Sequence, residues 1–254
     1  MKKLINLVGI LMMVVLVGCG QKIEVENTTN KIKKLYIGTN AEYKPYEYLE
    51  NGKMIGFDIE FMEALAENLG YEIEWKNLSF DGLLPALQTQ KIDMVIAGMS
   101  PTEERKKAVD FTDIYHSGWQ TVLVNKKNKE IQSAEDLKGK IIGVPLGSFQ
   151  EGIASKIKGT EVKFYNSFTG AVLELNTQKI DAVIVGEITA DYYLENNKNL
   201  KKISLPKEQQ KGTNGIAIAL EKGQTELLKN LNEGIEALKS NGKYQELLNK
   251  YFGG

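Results

Sequence analysis

Two stretches of this chain are copies of one another. Ser79 to Gly98 reads SFDGLLPALQTQKIDMVIAG and Ser167 to Gly186 reads SFTGAVLELNTQKIDAVIVG, with twelve of twenty positions identical and no gap. Each copy carries apolar residues at helical spacing, then a T-Q-K turn, then a β-rich run ending in glycine. A helix–strand segment repeated at this length predicts two similarly built α/β units. In open α/β sheets ligands gather at the carboxyl ends of the strands. Two such units facing each other set Gly98-Met99-Ser100 opposite Gly186-Glu187 across a cleft.

A second constraint comes from the cations. Arg105 is the only arginine, set against 31 lysines. Lysine supplies solvation and loose ion pairs as well as arginine does, but a point charge cannot supply a planar, two-pronged grip on a carboxylate. The context of Arg105 agrees with such a role. Ile92 to Ser100 reads as a strand running into a helix that opens SPTEERKK, with Ser100 and Glu103 as a capping box and Pro101 in the first turn. A carboxylate at that helix start meets unpaired N–H groups, the Ser100 or Thr102 hydroxyl and a guanidinium together. The plainer alternative is a surface arginine paired with Glu104 or Asp110.

The first eighteen residues read as a lipoprotein signal peptide. Lys2 and Lys3 precede fifteen uncharged residues, Leu4 to Gly18, too short for a membrane span. The run ends in LVGC, and its L-x-G-C spacing resembles the bacterial lipobox, which makes Cys19, the only cysteine, a lipidation site. Acyl chains there anchor a protein to a membrane surface. Residues 19–34 are polar and aperiodic and read as a flexible tether. The roughly 220 residues that remain suit two medium lobes with ample core. A net charge of −1 with both signs interspersed argues against nucleic acid as a partner.

Along the rest of the chain, Leu35 to Asn40 reads as a strand. Asp58 stands as N-cap of a helix with an apolar face of Phe61, Leu65 and Leu69, closed by Gly70. Ser148 caps another helix with Glu151 three residues on, and a further helix runs from Glu187 to about Asn196. Apolar runs near 117–124 and 213–220 cross between units, so residues 35–120 with 217–254 form one lobe and 121–216 the other. Gln224 to Phe252 is two helices broken at Asn241-Gly242. Two crossing strands form a natural hinge.

Catalytic chemistry has little to work with. There is one histidine, His116, which reads as structural, and the one cysteine is at the lipid site. No HExxH, GxSxG, GxGxxG or P-loop string occurs, and no metal-ligand spacing, so neither metal nor cofactor is expected.

The strings YKPYEY, GFDIEFMEALAENLG, SFDGLLPALQTQKIDMVIAGMSPTEERKKAVDFTDIY and the terminal GKYQELLNKYF together resemble extracellular solute-binding protein family 3. These are the polar amino-acid receptors of bacterial ABC importers. The resemblance implies a two-lobed Venus-flytrap fold, acting as a monomer outside the cytoplasm, that closes on an amino acid and delivers it to a membrane permease. It also implies roles: Arg105 and Ser100 for the α-carboxylate, the Gly98 carbonyl for the amino group, Tyr43 and Phe80 as aromatic walls. Asn40 then contacts the ligand side chain, and Ser148 and Gln150 reach across from the second lobe. Two departures stand out. Where the family carries an acid for the amino group, this chain has Gly186; where many receptors for basic amino acids have Asp, it has Asn40. Glu42 and Glu187 restore negative potential, which leaves the ligand class open between basic and neutral polar. The competing function is a dehydratase-type enzyme on the same fold, with Glu187 as general acid.

Overall fold

A computed structural model describes residues 34–210 and 215–253. The signal segment, Cys19 and the tether as far as residue 33 lie outside the described residues, as do positions 213 and 214 of the second crossing. Two lobes, each a five-stranded sheet with helices against it, make up the α/β fold expected from the sequence. In the first sheet the order is Glu72–Asn77, Lys34–Thr39, Met94–Val95, Ala219–Leu220, Asp110–Phe111. In the second it is Glu161–Tyr165, Ile141–Pro145, Ala182–Gly186, Gln120–Asn125, Leu200–Ser204. The strand of each repeat copy sits at the centre of its sheet. One side of it is parallel, and the other pairs antiparallel with a strand that has just crossed from the opposite lobe.

The repeat is visible as backbone geometry. Gln90 and Gln178 both take left-handed φ, +56° and +57°, at the end of their helices. The next amide closes the turn in each copy, Lys91 N–H onto Ala86 O and Lys179 N–H onto Glu174 O, both at 3.0 Å. Thr89 and Thr177 return their hydroxyls to Pro85 O and Leu173 O, four residues back. Asp93 and Asp181 accept the amides of Tyr36 and Ile141 on the neighbouring strand. Ile92 and Ile180 fill space left by a glycine on that strand, since a Cβ at Gly38 or Gly143 would collide with them. The shared string T-Q-K-I-D is thus a turn, a core plug and a strand clamp.

Buried aromatic and aliphatic side chains hold each lobe. In the first lobe Phe57, Phe61, Met62 and Leu65 of the helix Phe57–Leu69 pack on Leu231, Ile235 and Leu238 of Thr225–Ser240 and Leu247 of Lys243–Phe252. Each such side chain contributes about 1.5–3 kcal/mol on burial. The second sheet is covered on both faces, by Ile153 and Ala154 on one and by Phe168, Val172, Leu175 and Tyr193 on the other.

Three local expectations are corrected. The strand expected over Ile92 to Ser100 is confined to Met94–Val95, because Gly98 turns the chain at φ +53°. Ser100 does not cap the next helix. That helix is Glu103–Ala108, and Thr102 caps it, its hydroxyl accepting Arg105 N–H at 3.3 Å. Nor is Asp58 an N-cap: the helix starts at Phe57 after Gly56, and the Asp58 carboxylate points into the lobe, fully buried. Gly56 is required there, since its φ of +135° brings it against the backbone of Tyr46. The crossings are joined by an antiparallel ribbon in which His116 faces Ile216 and Ser117 faces Gly215.

Candidate functional site

The two lobes enclose a cavity of about 200 Å³, which is room for one small solute. All ten residues expected at a ligand site line it: Asn40, Glu42, Tyr43, Phe80, Gly98, Ser100, Arg105, Ser148, Gln150 and Glu187. Most come from strand ends and helix starts, while Glu42 and Tyr43 form a short strand of a separate three-stranded sheet. Asn40 follows the strand Lys34–Thr39, and its amide nitrogen donates to Leu78 O at 2.9 Å. Phe80 opens the first repeat helix. Ser148 caps the helix Phe149–Ala154, its hydroxyl accepting Glu151 N–H at 3.2 Å. Gln150 is buried and donates to Gln120 Oε1 at 2.7 Å.

Arg105 reaches across the cleft. Its Nη1 donates to Ser100 O at 2.6 Å and its Nη2 to Gly147 O of the other lobe at 2.8 Å, with the guanidinium 5.4 Å from the Phe80 ring centre. Burial lowers its pKa to about 10, which leaves it cationic at neutral pH. A guanidinium has five N–H donors; two are taken here, so three remain for a carboxylate. Among the residues lining the cavity it is the one permanent cation.

Tyr43 is the second bridge. Its ring stacks on Tyr46 of its own lobe (5.2 Å, 11°) and on Phe168 of the other (5.1 Å, 28°). A Cβ at Gly186 would fall 2.5 Å from its hydroxyl, so the tyrosine occupies the place where an acid side chain at 186 would project. At the rim, the Lys44 ammonium lies over Tyr48 at 4.4 Å and over Tyr192 of the second lobe at 5.0 Å. Glu187 is half exposed and 3.7 Å from Lys202.

Several lining residues escaped the sequence reading. Phe168 was accessible to it, because it occupies the repeat position of Phe80 and both line the cavity. Tyr46, Glu47, Trp119 and Gln120 carried no such signal. His116 also lines the cavity; it lies on the hinge ribbon, stacked 4.7 Å from Phe252, and burial depresses its pKa to about 4. Glu47 is buried, and burial together with its neighbour Asp58 holds its pKa well above the usual carboxylate value. Among the described residues no cluster of metal-ligating side chains occurs, and no helix is long and apolar enough to cross a membrane.

Two α/β lobes joined by a paired hinge and closing on one solute-sized cavity define a solute-binding protein. Residues 35–254 match the model of the bacterial extracellular solute-binding proteins, family 3, and the chain belongs to that family. It is 39% identical to the arginine-binding extracellular protein ArtP of Bacillus subtilis (strain 168), over 87% of this chain and 87% of ArtP. It is 38% identical to a probable histidine-binding protein of Campylobacter jejuni, over 89% of this chain and 87% of that one. A solved ancestral arginine-binding protein bound to arginine is 41% identical and superposes with a TM-score of 0.81, covering 87% of this chain and 98% of its own.

Proposed function

We propose that the protein is the substrate-binding component of an ABC importer. It captures one basic or polar L-amino acid by closing residues 121–216 onto residues 35–120 and 217–254, and hands it to the permease. The observation that carries this reading is Arg105, a half-buried cation on the wall of a solute-sized cavity with N–H donors to spare. Arg105 and Ser100 take the α-carboxylate; the Gly98 carbonyl and Glu187 take the amino group; Tyr43 and Phe80 flank the ligand, and Ser148 and Gln150 close from the second lobe. A zwitterion needs one charge of each sign. The cavity offers one guanidinium and two carboxylates, Glu42 and Glu187, in contact with solvent. The surplus carboxylate suits a cationic side chain, in keeping with the arginine and histidine named for the relatives, and Glu42 is the residue assigned to it. Lipidation at Cys19 anchors the monomer to the outer face of the cell membrane, with residues 19–34 as tether.

An enzymatic role for Glu187 is not favoured by its setting. Half its side chain is in solvent and it faces Lys202 at 3.7 Å, unlike the dry pocket in which a general acid is made. The deciding experiment is a thermal-shift panel of the twenty amino acids. Arginine is expected to raise the melting temperature most, since a ligand at 100 times its Kd adds about 2.7 kcal/mol. A panel with no response would remove the amino-acid reading.

A further inference from the structure

Behind the cavity wall lie two carboxyl groups with an unequal share of donors. Asp58 is fully buried, and its Oδ2 accepts both Gly98 N–H at 2.7 Å and Tyr115 O–H at 2.8 Å. Its Oδ1 has no donor, and neither has Oε2 of Glu47. Glu47 is 1% exposed, lines the cavity and lies within hydrogen-bonding reach of Asp58. Two ionised carboxylates are acceptors only, and both cannot stay charged in contact away from water. One proton held by the pair removes one of the two charges. The other oxygen of Glu47, Oε1, faces Gly98, 3.9 Å from where a Cβ on that glycine would stand.

We propose that Glu47 is the buried counter-charge for the cationic group of the ligand held at Gly98, and that binding releases the proton Glu47 shares with Asp58. The inference rests on the amino-acid reading above. The step balances simply. The O–H bond of the Glu47 carboxyl breaks, the proton leaves to bulk buffer, and the carboxylate left behind pairs with a ligand cation that stays protonated throughout. Such a pair adds an anion inside the cavity to the Gly98 carbonyl and the solvent-facing Glu187 assigned to the amino group above. An ammonium leaving water requires an anion or several neutral acceptors, Gly186 supplies no side chain, and Glu187 sits half in solvent beside Lys202.

The neighbours of Glu47 do not blur the signal. Tyr43, Tyr46 and Tyr115 surround it as phenols that burial keeps protonated. His116 across the cavity stays neutral above about pH 4, Arg105 stays charged, and the Glu42 and Glu187 side chains open to solvent. Burial pushes Asp58 to about 6 and holds Glu47 well above the usual carboxylate value, so at neutral pH the pair holds one proton in the free protein.

Titration calorimetry of the whole protein with arginine tests this, run in two buffers of different ionisation enthalpy. The expected result is release of close to one proton per arginine at pH 7, with Kd falling by up to about tenfold per pH unit as pH rises above 6. Glu47→Gln is expected to abolish the proton release and flatten the pH profile. Asp58→Asn, in which Glu47 loses its charged partner, is expected to alter the number released. Arginine binding with no proton released by the wild-type protein would overturn the inference alone, whether or not the variants fold. So would the same release in Glu47→Gln, which would place the proton elsewhere. No binding of arginine, histidine or any other amino acid would remove the functional reading and this inference together.

Discussion

The two copies of the repeat do the same structural work and different chemistry. Their identical residues form the helix, the left-handed glutamine turn and the central strand, down to the aspartate that clamps the neighbouring strand. They part at the strand's carboxyl end. The first copy breaks off at Val95, turns at Gly98 and turns again across Pro101, where Thr102 N–H donates to Ser100 O at 3.0 Å, before the short Arg105 helix. The second stays in the sheet to Gly186 and passes at once into the helix Glu187–Asn196. One end therefore carries an arginine over the cleft and exposes backbone groups, while the other offers a flat glycine and an acidic helix start. A duplicated scaffold leaves strand ends free to diverge, because the core residues beneath them hold the geometry.

The helix-leading phenylalanines offer the largest test of this contrast. Phe168 is 7% exposed, sits in the second lobe's core and stacks on Tyr43 of the first lobe, whereas Phe80 is only half-buried beneath Arg105. Phe168→Ala is expected to lower folding stability by about 3–5 kcal/mol, the range for a buried aromatic. Phe80→Ala should lower it by less while weakening ligand binding. Equal stability losses in urea titrations of the two variants would erase the distinction between packing copy and binding copy.

At the strand ends the effects fall on affinity. Arg105→Lys is expected to weaken amino-acid binding by about 2–5 kcal/mol, because a two-pronged bond to the carboxylate is lost inside the closed cleft. It also removes the donor to Gly147 O that joins the lobes. Glu187→Gln, at the matching end of the second copy, should cost about 1–3 kcal/mol if its carboxylate meets the ammonium and almost nothing if it only favours the helix dipole. Calorimetric Kd values for the pair decide it. A lysine variant with wild-type affinity would move Arg105 out of the site.

Much of this was readable from residues, and the failures have physical reasons. The paired lobes, the hinge and the carboxyl-end site followed from the repeat and the two apolar crossings, because periodicity reports which faces are buried. Arg105 stood out by being alone. Capping was misread twice. Ser100 and Asp58 both satisfy the local pattern for a helix start, but Gly98 and Gly56 turn the backbone and send those residues elsewhere. Asp58 was read as a cap because its true partners, Gly98 and Tyr115, are distant in sequence. Glu47 gave no sign for the same reason. A glutamate in an aromatic hairpin looks solvated until the tertiary fold closes over it.

The smallest expected effect probes the turn that the copies share most closely. Gln90 and Gln178 adopt φ values of +56° and +57°, where a side chain meets its own backbone. A left-handed residue costs about 1–2 kcal/mol for an amino acid with a Cβ. Glycine avoids that strain but gives up about 0.5–1 kcal/mol in added freedom of the unfolded chain. The difference predicts that Gln90→Gly and Gln178→Gly each stabilise the protein by about 0.5–1 kcal/mol. The first copy carries one further tie: Gln90 Nε2 donates to Glu221 at 3.0 Å. That bond is exposed, so it should subtract no more than a few tenths of a kcal/mol from the Gln90 gain. Chemical denaturation resolves the two midpoints. Similar gains would show one turn built twice, and a gain in the second copy with a loss in the first would show that Gln90 is kept for its tie to Glu221.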